Sequence, residues 1–227
     1  MSKLHRSISL FLIVSGFILS GCAGKERREQ ADTGGGRILI AYFSWANNTV
    51  VEYPDLENVE AMSSASILVP GNTGLLAGRI QEITGGDLFP IVVTEPYSSD
   101  FQECAARAGE ELAANARPAL KESVNNIDSY DIVFLGYPVW ANTCPMAVFS
   151  FIDENDLSGK TILLFSALGG GSMEKSVSDI IAALPGDCTI MENVFAAPRA
   201  DFAAAQDNIK TWLTELNIDF TPLPASR

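Results

Sequence analysis

Two stretches of the chain contain Asn-Thr and have the small, polar composition of a loop that could hold a phosphate. They are SWANNT, residues 44–49, and PGNTG, residues 70–74. An anion is held best where a helix begins, because free N–H groups and the positive end of the helix dipole meet there. No Lys or Arg lies between Arg37 and Arg79. A phosphate at either stretch would therefore be held by neutral donors.

The residues that follow each Asn-Thr pair distinguish the two stretches. Thr73 is followed by GLLAGRIQEI, which has a helical pattern, whereas the valines and proline after Thr49 make a poor helix. We therefore predict that Gly71, Asn72 and Thr73 form the anion-holding turn and that Ser44 contributes its hydroxyl from the other side. SWANNT alone is the alternative.

The first 21 residues have the pattern of a bacterial secretory leader. Two basic residues precede an apolar run of about a dozen residues, shorter than the ~20 that a membrane-spanning helix needs. The run closes on LSGC, which resembles the lipobox of bacterial lipoproteins and implies that Cys22 is lipidated. We expect a signal peptide over 1–21, a flexible tether over 22–36, a tail over 217–227 and an extracytoplasmic, membrane-anchored protein. A plain signal peptide or a short buried helix is the alternative.

Several chemistries are excluded by composition. The sole histidine, His5, lies in the leader, so the mature chain has no imidazole for a Ser-His-Asp triad, a Cys-His pair or a His-ligated metal site. With Cys22 lipidated, three cysteines remain and no Cys-x-x-Cys occurs, so no disulfide framework is indicated. No Walker loop is present, which argues against nucleotide triphosphate hydrolysis.

The chain is strongly acidic. It has 28 Asp and Glu against 15 Lys and Arg, a net charge of −13. The leader contains two of the basic residues and none of the acids, so the remainder carries −15. Such a field repels the phosphates of nucleic acids, so we expect no nucleic-acid partner. Acidity that only keeps the protein soluble is the simpler explanation of the same charge.

Five segments predict a parallel sheet that positions these residues. Three are unbroken apolar runs, typical of strands buried on both faces: 37–43, 131–137 and 161–168. A fourth strand, 87–93, carries Pro90 and is expected at a sheet edge, because proline lacks the N–H that a ladder needs. Residues 187–194 are a weaker candidate for the opposite edge.

Helical patterns alternate with these strands, and one of them, 99–114, opens with a capping-box pattern from Ser99 to Gln102. The alternation predicts an α/β doubly wound domain over 37–216, with a five-stranded parallel sheet of order 2-1-3-4-5 and helices on both faces. Ligands of such a sheet bind beyond the carboxyl ends of the strands, at the switch between strands one and three. We expect the residues that follow strands one, three and four to form the site.

The segments after these three strands resemble the FMN-binding loops of the flavodoxins. They are AYFS with GNT, FLGYPVWANTCPMAV and FSALGGGSM. They are most similar to the group in which Gly-Tyr-Pro-x-Trp follows strand three, and the resemblance covers about residues 37–216. The chain departs from the compact phosphate loop of simpler members because a long insertion, 45–70, splits it. The resemblance implies FMN as the cofactor.

The resemblance also implies roles for individual residues. Tyr137 and Trp140 would offer a flat apolar face to the isoalloxazine ring, with the amides of Ala141 and Asn142 at its edge. The glycines after strand four would let the backbone approach the flavin. The expected cofactor-binding set is Ser44, Trp45, Gly71, Asn72, Thr73, Tyr137, Pro138, Trp140, Ala141, Asn142, Gly169, Gly170 and Gly171. A Trp140 that only covers the sheet end, and glycines that only open the next helix, are the alternatives.

The function that the resemblance implies is electron transfer through FMN by a membrane-tethered protein. Its partner would be a redox protein that docks on the acidic surface. The alternatives are an FMN-dependent reductase acting with NAD(P)H on a quinone or another small acceptor, and a degenerate fold that serves as a docking module. The insertion would be a flap beside the flavin or an ornament without function.

Overall fold

The apolar runs form the central strands of a parallel sheet. The computed structural model describes residues 36–51, 64–169, 173–198, 204–216, 218 and 220, all of which belong to one compact unit of the chain. The central strands are β1 (Ile38–Tyr42), β3 (Ile132–Pro138) and β4 (Thr161–Leu168). Nearly all of their side chains are buried, as expected for strands covered on both faces.

The predicted strand order is confirmed. β2 (Asp87–Pro90) is followed across the sheet by β1, β3, β4 and then β5 (Thr189–Ile190), and every pair is parallel. β2 stands at the edge, as Pro90 predicted, because an edge residue needs no N–H on its outer side. The carboxyl ends of β1 and β3 therefore lie side by side at the switch point.

The five predicted strands are present, and the weak candidate over 187–194 contains β5, but the sheet also has a sixth strand that was not predicted. β5 pairs with the start of β4, and a sixth strand, β6 (Phe195–Pro198), pairs with its end. The edge is thus two short strands in series, separated by residues 191–194. Two alanines and a proline gave β6 too little strand propensity to stand out in the sequence.

Helices cover both faces of the sheet, as predicted. Along β3, Val133 and Leu135 face one hydrophobic cluster, while Phe134 faces the other. The first cluster takes in buried residues from α3 (Phe101–Ala113), α4 (Met146–Glu154) and α5 (Glu174–Ala183). The second takes them from α2 (Gly71–Thr84) and α6 (Ala205–Glu215). A four-residue helix, α1 (Ser64–Ile67), precedes α2.

The start of α3 differs from the prediction by one position. Asp100 is the N-cap, and its Oδ1 accepts hydrogen bonds from the N–H groups of Gln102 (2.8 Å) and Glu103 (2.9 Å). The capping box predicted from Ser99 is therefore wrong, because the carboxylate one residue later takes the free N–H groups. As a result, Phe101 occupies the first position of the helix.

Several predicted features lie outside the described residues. They are the leader (1–21), Cys22, nearly all of the tether (22–36) and most of the tail (217–227). In the part of the chain that is described, no helix is both long enough and apolar enough to cross a membrane. Nor do the described His, Cys, Asp and Glu side chains form a group that could hold a metal ion.

Candidate functional site

A cleft of about 300 Å³ opens at the carboxyl ends of β1, β3 and β4, beside the start of α2. Its walls come from the last residues of β3 and β4, from the segments that follow the three strands, and from α1, α2 and α3. The lining residues are Ser44, Trp45, Ser66, Asn72, Thr73, Phe101, Pro138, Val139, Trp140, Ala167 and Gly169. None of these described residues carries a charge.

The first turn of α2 faces the cleft with free hydrogen-bond donors. The helix begins at Gly71, and Pro70 at the N-cap makes no side-chain capping bond. The Gly71 N–H donates to the carbonyl of Leu68 at 2.7 Å. The N–H groups of Asn72 and Thr73 have no intrahelical acceptor, because they lie in the first turn. The Thr73 hydroxyl also has no hydrogen-bond partner among the described residues, although Thr73 is only 2 % exposed.

Gly71 supports this turn without lining the cleft. Its φ is +72°, a left-handed conformation that favours glycine. A Cβ at this position would lie 3.1 Å from the Ala46 Cβ and 3.3 Å from the Ser44 Cβ. The missing side chain therefore lets the start of α2 pack against the segment after β1.

Ser44, the residue predicted to contribute its hydroxyl, follows β1 by two positions. It is 1 % exposed and lines the cleft. Its hydroxyl is already engaged, since it donates to Asn47 Oδ1 and accepts from the Asn47 N–H at 3.2 Å. Asn47 thus occupies the hydroxyl that was expected to reach a bound anion.

Asn48 and Thr49 of SWANNT hold the loop and do not line the cleft. Asn48 is 1 % exposed, and its Nδ2 donates to the carbonyls of Ser44 and Ile91, both at 2.9 Å. Its Oδ1 accepts from the Val93 N–H at 2.8 Å. The first residues of the insertion predicted over 45–70 are therefore fixed to the segment after β2. Residues 52–63 of that insertion lie outside the described part of the chain.

Aromatic side chains form one wall of the cleft. Trp140 contacts Trp45 edge to face, with ring centroids 6.0 Å apart, and meets Phe43 at 5.2 Å. The Trp45 Nε1 donates to the carbonyl of Ser98 at 3.0 Å, so a hydrogen bond and the contact with Trp140 together hold this ring. Phe101 is 44 % exposed and lies at the cleft. The wall could hold a flat ring system.

Tyr137 does not contribute to this wall, and the interpretation that its ring faces a ligand there is wrong. The ring is fully buried in the core cluster with Val133 and Leu135. Its hydroxyl accepts a 3.3 Å hydrogen bond from Ser176, and burial raises the pKa of the phenol. Because β3 continues to Pro138, Tyr137 still follows the alternation of the strand and points into the core.

Ala141 and Asn142 form a tight turn that does not line the cleft. Both have positive φ, +47° and +66°, and both are exposed. Trp140 and Thr143 close the turn with reciprocal backbone hydrogen bonds of 2.8 and 2.9 Å. The Thr143 hydroxyl donates to Asp179 at 2.7 Å, and hydrogen bonds from Lys175 and then Thr143 lower the pKa of that carboxyl. The turn therefore fixes the backbone of Trp140.

Of the three predicted glycines, Gly169 lines the cleft and a Cβ there would meet no atom within 4 Å. Gly170 and Gly171 lie outside the described residues. Pro138 lines the cleft as well. Cys144 follows the tight turn and is 1 % exposed, and burial raises the pKa of its thiol.

Four lining residues were not predicted from the sequence: Ser66, Phe101, Val139 and Ala167. For Phe101 a signal existed, since an aromatic residue directly after an N-cap aspartate lies at the end of a helix rather than on its buried stripe. Ser66 belongs to the insertion, where no periodic pattern assigns a direction to a side chain.

Comparisons with known proteins agree with this architecture. A family model described as Flavodoxin matches residues 59–216. A candidate flavoprotein from Bacteroides eggerthii DSM 20697 is 27 % identical and matches 82 % of this chain and 100 % of its own, with a TM-score of 0.62. A second candidate flavoprotein, from Bacteroides uniformis ATCC 8492, is 23 % identical over 78 % and 99 % of the two chains, with a TM-score of 0.56.

A third solved structure is a flavoprotein from Lactobacillus acidophilus NCFM in complex with FMN, which is 18 % identical over 79 % of this chain and 99 % of its own, with a TM-score of 0.54. A search of curated proteins found no match. The family model nevertheless spans well over half of the sequence, and the sheet has the expected strand order. The chain belongs to the flavodoxin family.

Proposed function

We propose that this protein binds FMN in the cleft and transfers electrons through it. The observation that carries the proposal is that one uncharged cleft contains both a helix start with free donors, at Asn72 and Thr73, and an aromatic wall that includes Trp140. These are the two features that a phosphate and a flat ring require. The Lactobacillus flavoprotein of the same fold was solved in complex with FMN, which supports the choice of cofactor.

The donor set fits the phosphate end of this cofactor. A phosphate brings its own negative charge, so N–H groups and a hydroxyl can hold it by charge-assisted hydrogen bonds without a cation. In this role Thr73 would donate from its hydroxyl, which has no partner in the described structure. Ser44 would join only after Asn47 releases its hydroxyl.

The apolar wall fits the ring end. Trp45, Phe101 and Trp140 offer aromatic surface, and Pro138 and Gly169 leave the adjoining wall free of bulky polar groups. Bound FMN would supply the electron-accepting chemistry. The residues of the chain bind it, orient it and exclude water from one of its faces.

A single titration tests the proposal. Purified protein mixed with FMN is expected to take up about one equivalent, with a shift of the flavin absorption and quenching of its fluorescence as the ring packs on aromatic side chains. Riboflavin, which lacks the phosphate, is the matched control and is expected to bind more weakly. Protein that stays colourless after incubation with FMN and gel filtration would contradict the proposal.

The acidic chain should also lower the potential of the bound cofactor. Adding an electron to a flavin builds negative charge, and a net charge of −13 opposes it. We therefore expect the fully reduced form to be reached at a lower potential than in free FMN. A spectroelectrochemical potential at or above that of free FMN would contradict this expectation.

Exposure of Phe101 favours a second candidate function, reduction of a small planar acceptor such as a quinone. Phe101 lines the cleft yet is 44 % exposed, so its ring could stack on a second flat molecule. Turnover of NAD(P)H and a quinone by the FMN-loaded protein alone would favour this reductase over an electron carrier. Turnover that requires an added redox protein would favour the carrier.

We further propose that the protein is a lipoprotein held outside the cytoplasm by an acyl group on Cys22. The supporting observation is the order of basic start, apolar run and LSGC in residues 1–22. Mass spectrometry of the mature N-terminus tests it. The expected result is a diacylated or triacylated Cys22 that replacement by Ser removes; an unprocessed Met1 would contradict it.

A further inference from the structure

Behind the cleft wall lies a buried tyrosine that no proposed contact with a cofactor uses. Tyr97, in the segment between β2 and α3, is 2 % exposed. Its ring meets Trp140 edge to face, with centroids 5.2 Å apart and planes at 83°. It meets Phe43 at 6.0 Å in the same manner. Tyr97 therefore forms part of the surface on which Trp140 rests.

Polar contacts fix the far end of this tyrosine. The Tyr97 hydroxyl donates to Glu111 Oε2 at 2.7 Å, and Glu111 Oε1 accepts from Arg107 Nε at 2.8 Å. The Arg107 guanidinium also lies over the Tyr97 ring, 4.1 Å from its centroid, and donates to the carbonyls of Glu95 and Pro96 at 3.1 and 2.9 Å. Burial and the hydrogen bond to Glu111 raise the pKa of Tyr97, so the hydroxyl keeps its proton and continues to donate.

The backbone of Tyr97 is tied to the loop that carries the other tryptophan of the wall. Its N–H donates to the carbonyl of Asn48 at 2.7 Å, and its carbonyl accepts from the Thr49 hydroxyl at 2.9 Å. Both residues follow Trp45 in the same loop. The side chain of Tyr97 contacts Trp140 while its backbone N–H and C=O hold the loop after β1, so one residue links the two.

We propose that Tyr97, fixed by Glu111 and Arg107, is a positioning residue that sets the orientation of Trp140 at the cleft. Its effect on FMN binding rests on the proposed function. Its effect on Trp140 does not, because the contacts exist in the protein alone. A fixed tryptophan loses less conformational entropy when a flat ring stacks on it, and so binds that ring more tightly.

The chain contains a matched control at the opposite end of the sheet. Tyr130, two residues before β3, is 7 % exposed, and its hydroxyl donates to Asp87 Oδ2 at 2.8 Å. Arg37 donates to the same carboxylate oxygen at 2.9 Å and lies over the Tyr130 ring at 4.5 Å. Tyr97 and Tyr130 thus share one arrangement of tyrosine, acid and arginine, but only Tyr97 contacts the cleft wall.

The first test needs no ligand. Protein labelled with 5-fluorotryptophan gives ¹⁹F resonances for Trp45, Trp140 and Trp212, which single Trp→Phe variants assign. Tyr97→Phe is expected to shift or broaden the Trp140 resonance, whereas Tyr130→Phe leaves it unchanged. A Trp140 resonance that is unaffected by Tyr97→Phe, or affected equally by Tyr130→Phe, would overturn the proposal. If Tyr97→Phe does not fold, Glu111→Gln makes the same test.

The second test measures FMN affinity of the same variants. Loss of one hydrogen bond of the network is expected to weaken binding about threefold to tenfold in Tyr97→Phe and less than about twofold in Tyr130→Phe. Equal losses in the two variants would overturn the positioning role. Wild-type protein that binds no FMN would overturn the proposed function instead, and the Trp140 resonance would still decide the role of Tyr97.

Discussion

The two Asn-Thr pairs of this protein have opposite environments. Asn48 is buried, and its side-chain amide forms hydrogen bonds with three backbone groups. The Thr49 hydroxyl donates to the carbonyl of Tyr97. Asn72 and Thr73 open α2 and line the cleft. Asn72 makes only a long bond, 3.4 Å, to Ser66 Oγ among the described residues.

The difference between the pairs lies in what satisfies the backbone around them. Irregular backbone surrounds Asn48, and the buried N–H and C=O groups of that backbone must be paired. The Asn48 side chain supplies these hydrogen bonds and has no donor or acceptor left for a ligand. A helix follows Asn72, and its first N–H groups have no partner within the helix. The same dipeptide therefore holds a loop in one place and leaves donors for a ligand in the other.

The largest expected effect is on stability, from Asn48→Ala. The change leaves the Ser44 carbonyl, the Ile91 carbonyl and the Val93 N–H buried without their partner, which should lower the free energy of unfolding by about 3 kcal/mol. Asn72→Ala is the control and should change it by less than about 0.5 kcal/mol. Urea unfolding measures both; equal losses would remove the distinction between the two pairs.

A smaller effect is expected at two of the three glycines of α2, Gly71 and Gly78. Gly71→Ala places a side chain at a φ of +72° and 3.1 Å from Ala46, and should cost about 1–2 kcal/mol of stability while weakening FMN binding. In Gly78→Ala the new Cβ meets nothing within 4 Å, and alanine should stabilise the helix by about 0.5–1 kcal/mol. Thermal unfolding and FMN titration check both variants. Stabilisation by Gly71→Ala would contradict the described start of the helix.

The smallest expected effect is that of salt on FMN affinity. A phosphate held by a lysine or arginine is released as salt rises, whereas neutral donors and a net charge of −13 predict the opposite sign. Between about 20 and about 500 mM NaCl we expect the dissociation constant to fall by no more than about twofold. Isothermal titration at both concentrations measures it, and tenfold weaker binding in high salt would reveal a cation at the phosphate.

Much of the fold could be predicted because buried strands have a recognisable run of apolar residues in the sequence. The unbroken apolar runs of β1, β3 and β4 predicted their strands, and Pro90 predicted an edge. β6 has no such run, and its four residues, Phe195–Pro198, are recognisable as a strand only by their pairing with β4. The local sequence pattern therefore predicted the central strands of the sheet but not the whole of its edge.

The site was predicted less completely because side-chain direction at a strand end depends on where the strand stops. Extending β3 by one residue, to Pro138, keeps Tyr137 in alternation with Leu135 and turns its ring into the core. The function of Asn48 could not be predicted at all. Its partners Ile91 and Val93 lie more than 40 positions away in the sequence, and only the fold brings them together.

The most direct measurement compares FMN with riboflavin in two matched variants, Thr73→Val and Thr49→Val. Each removes one hydroxyl and keeps the shape of the side chain. If Thr73 holds the phosphate, the preference for FMN over riboflavin should fall about tenfold in Thr73→Val and stay within about twofold of wild type in Thr49→Val. An unchanged preference in Thr73→Val, or an equal fall in Thr49→Val, would contradict the assignment of the phosphate to the start of α2.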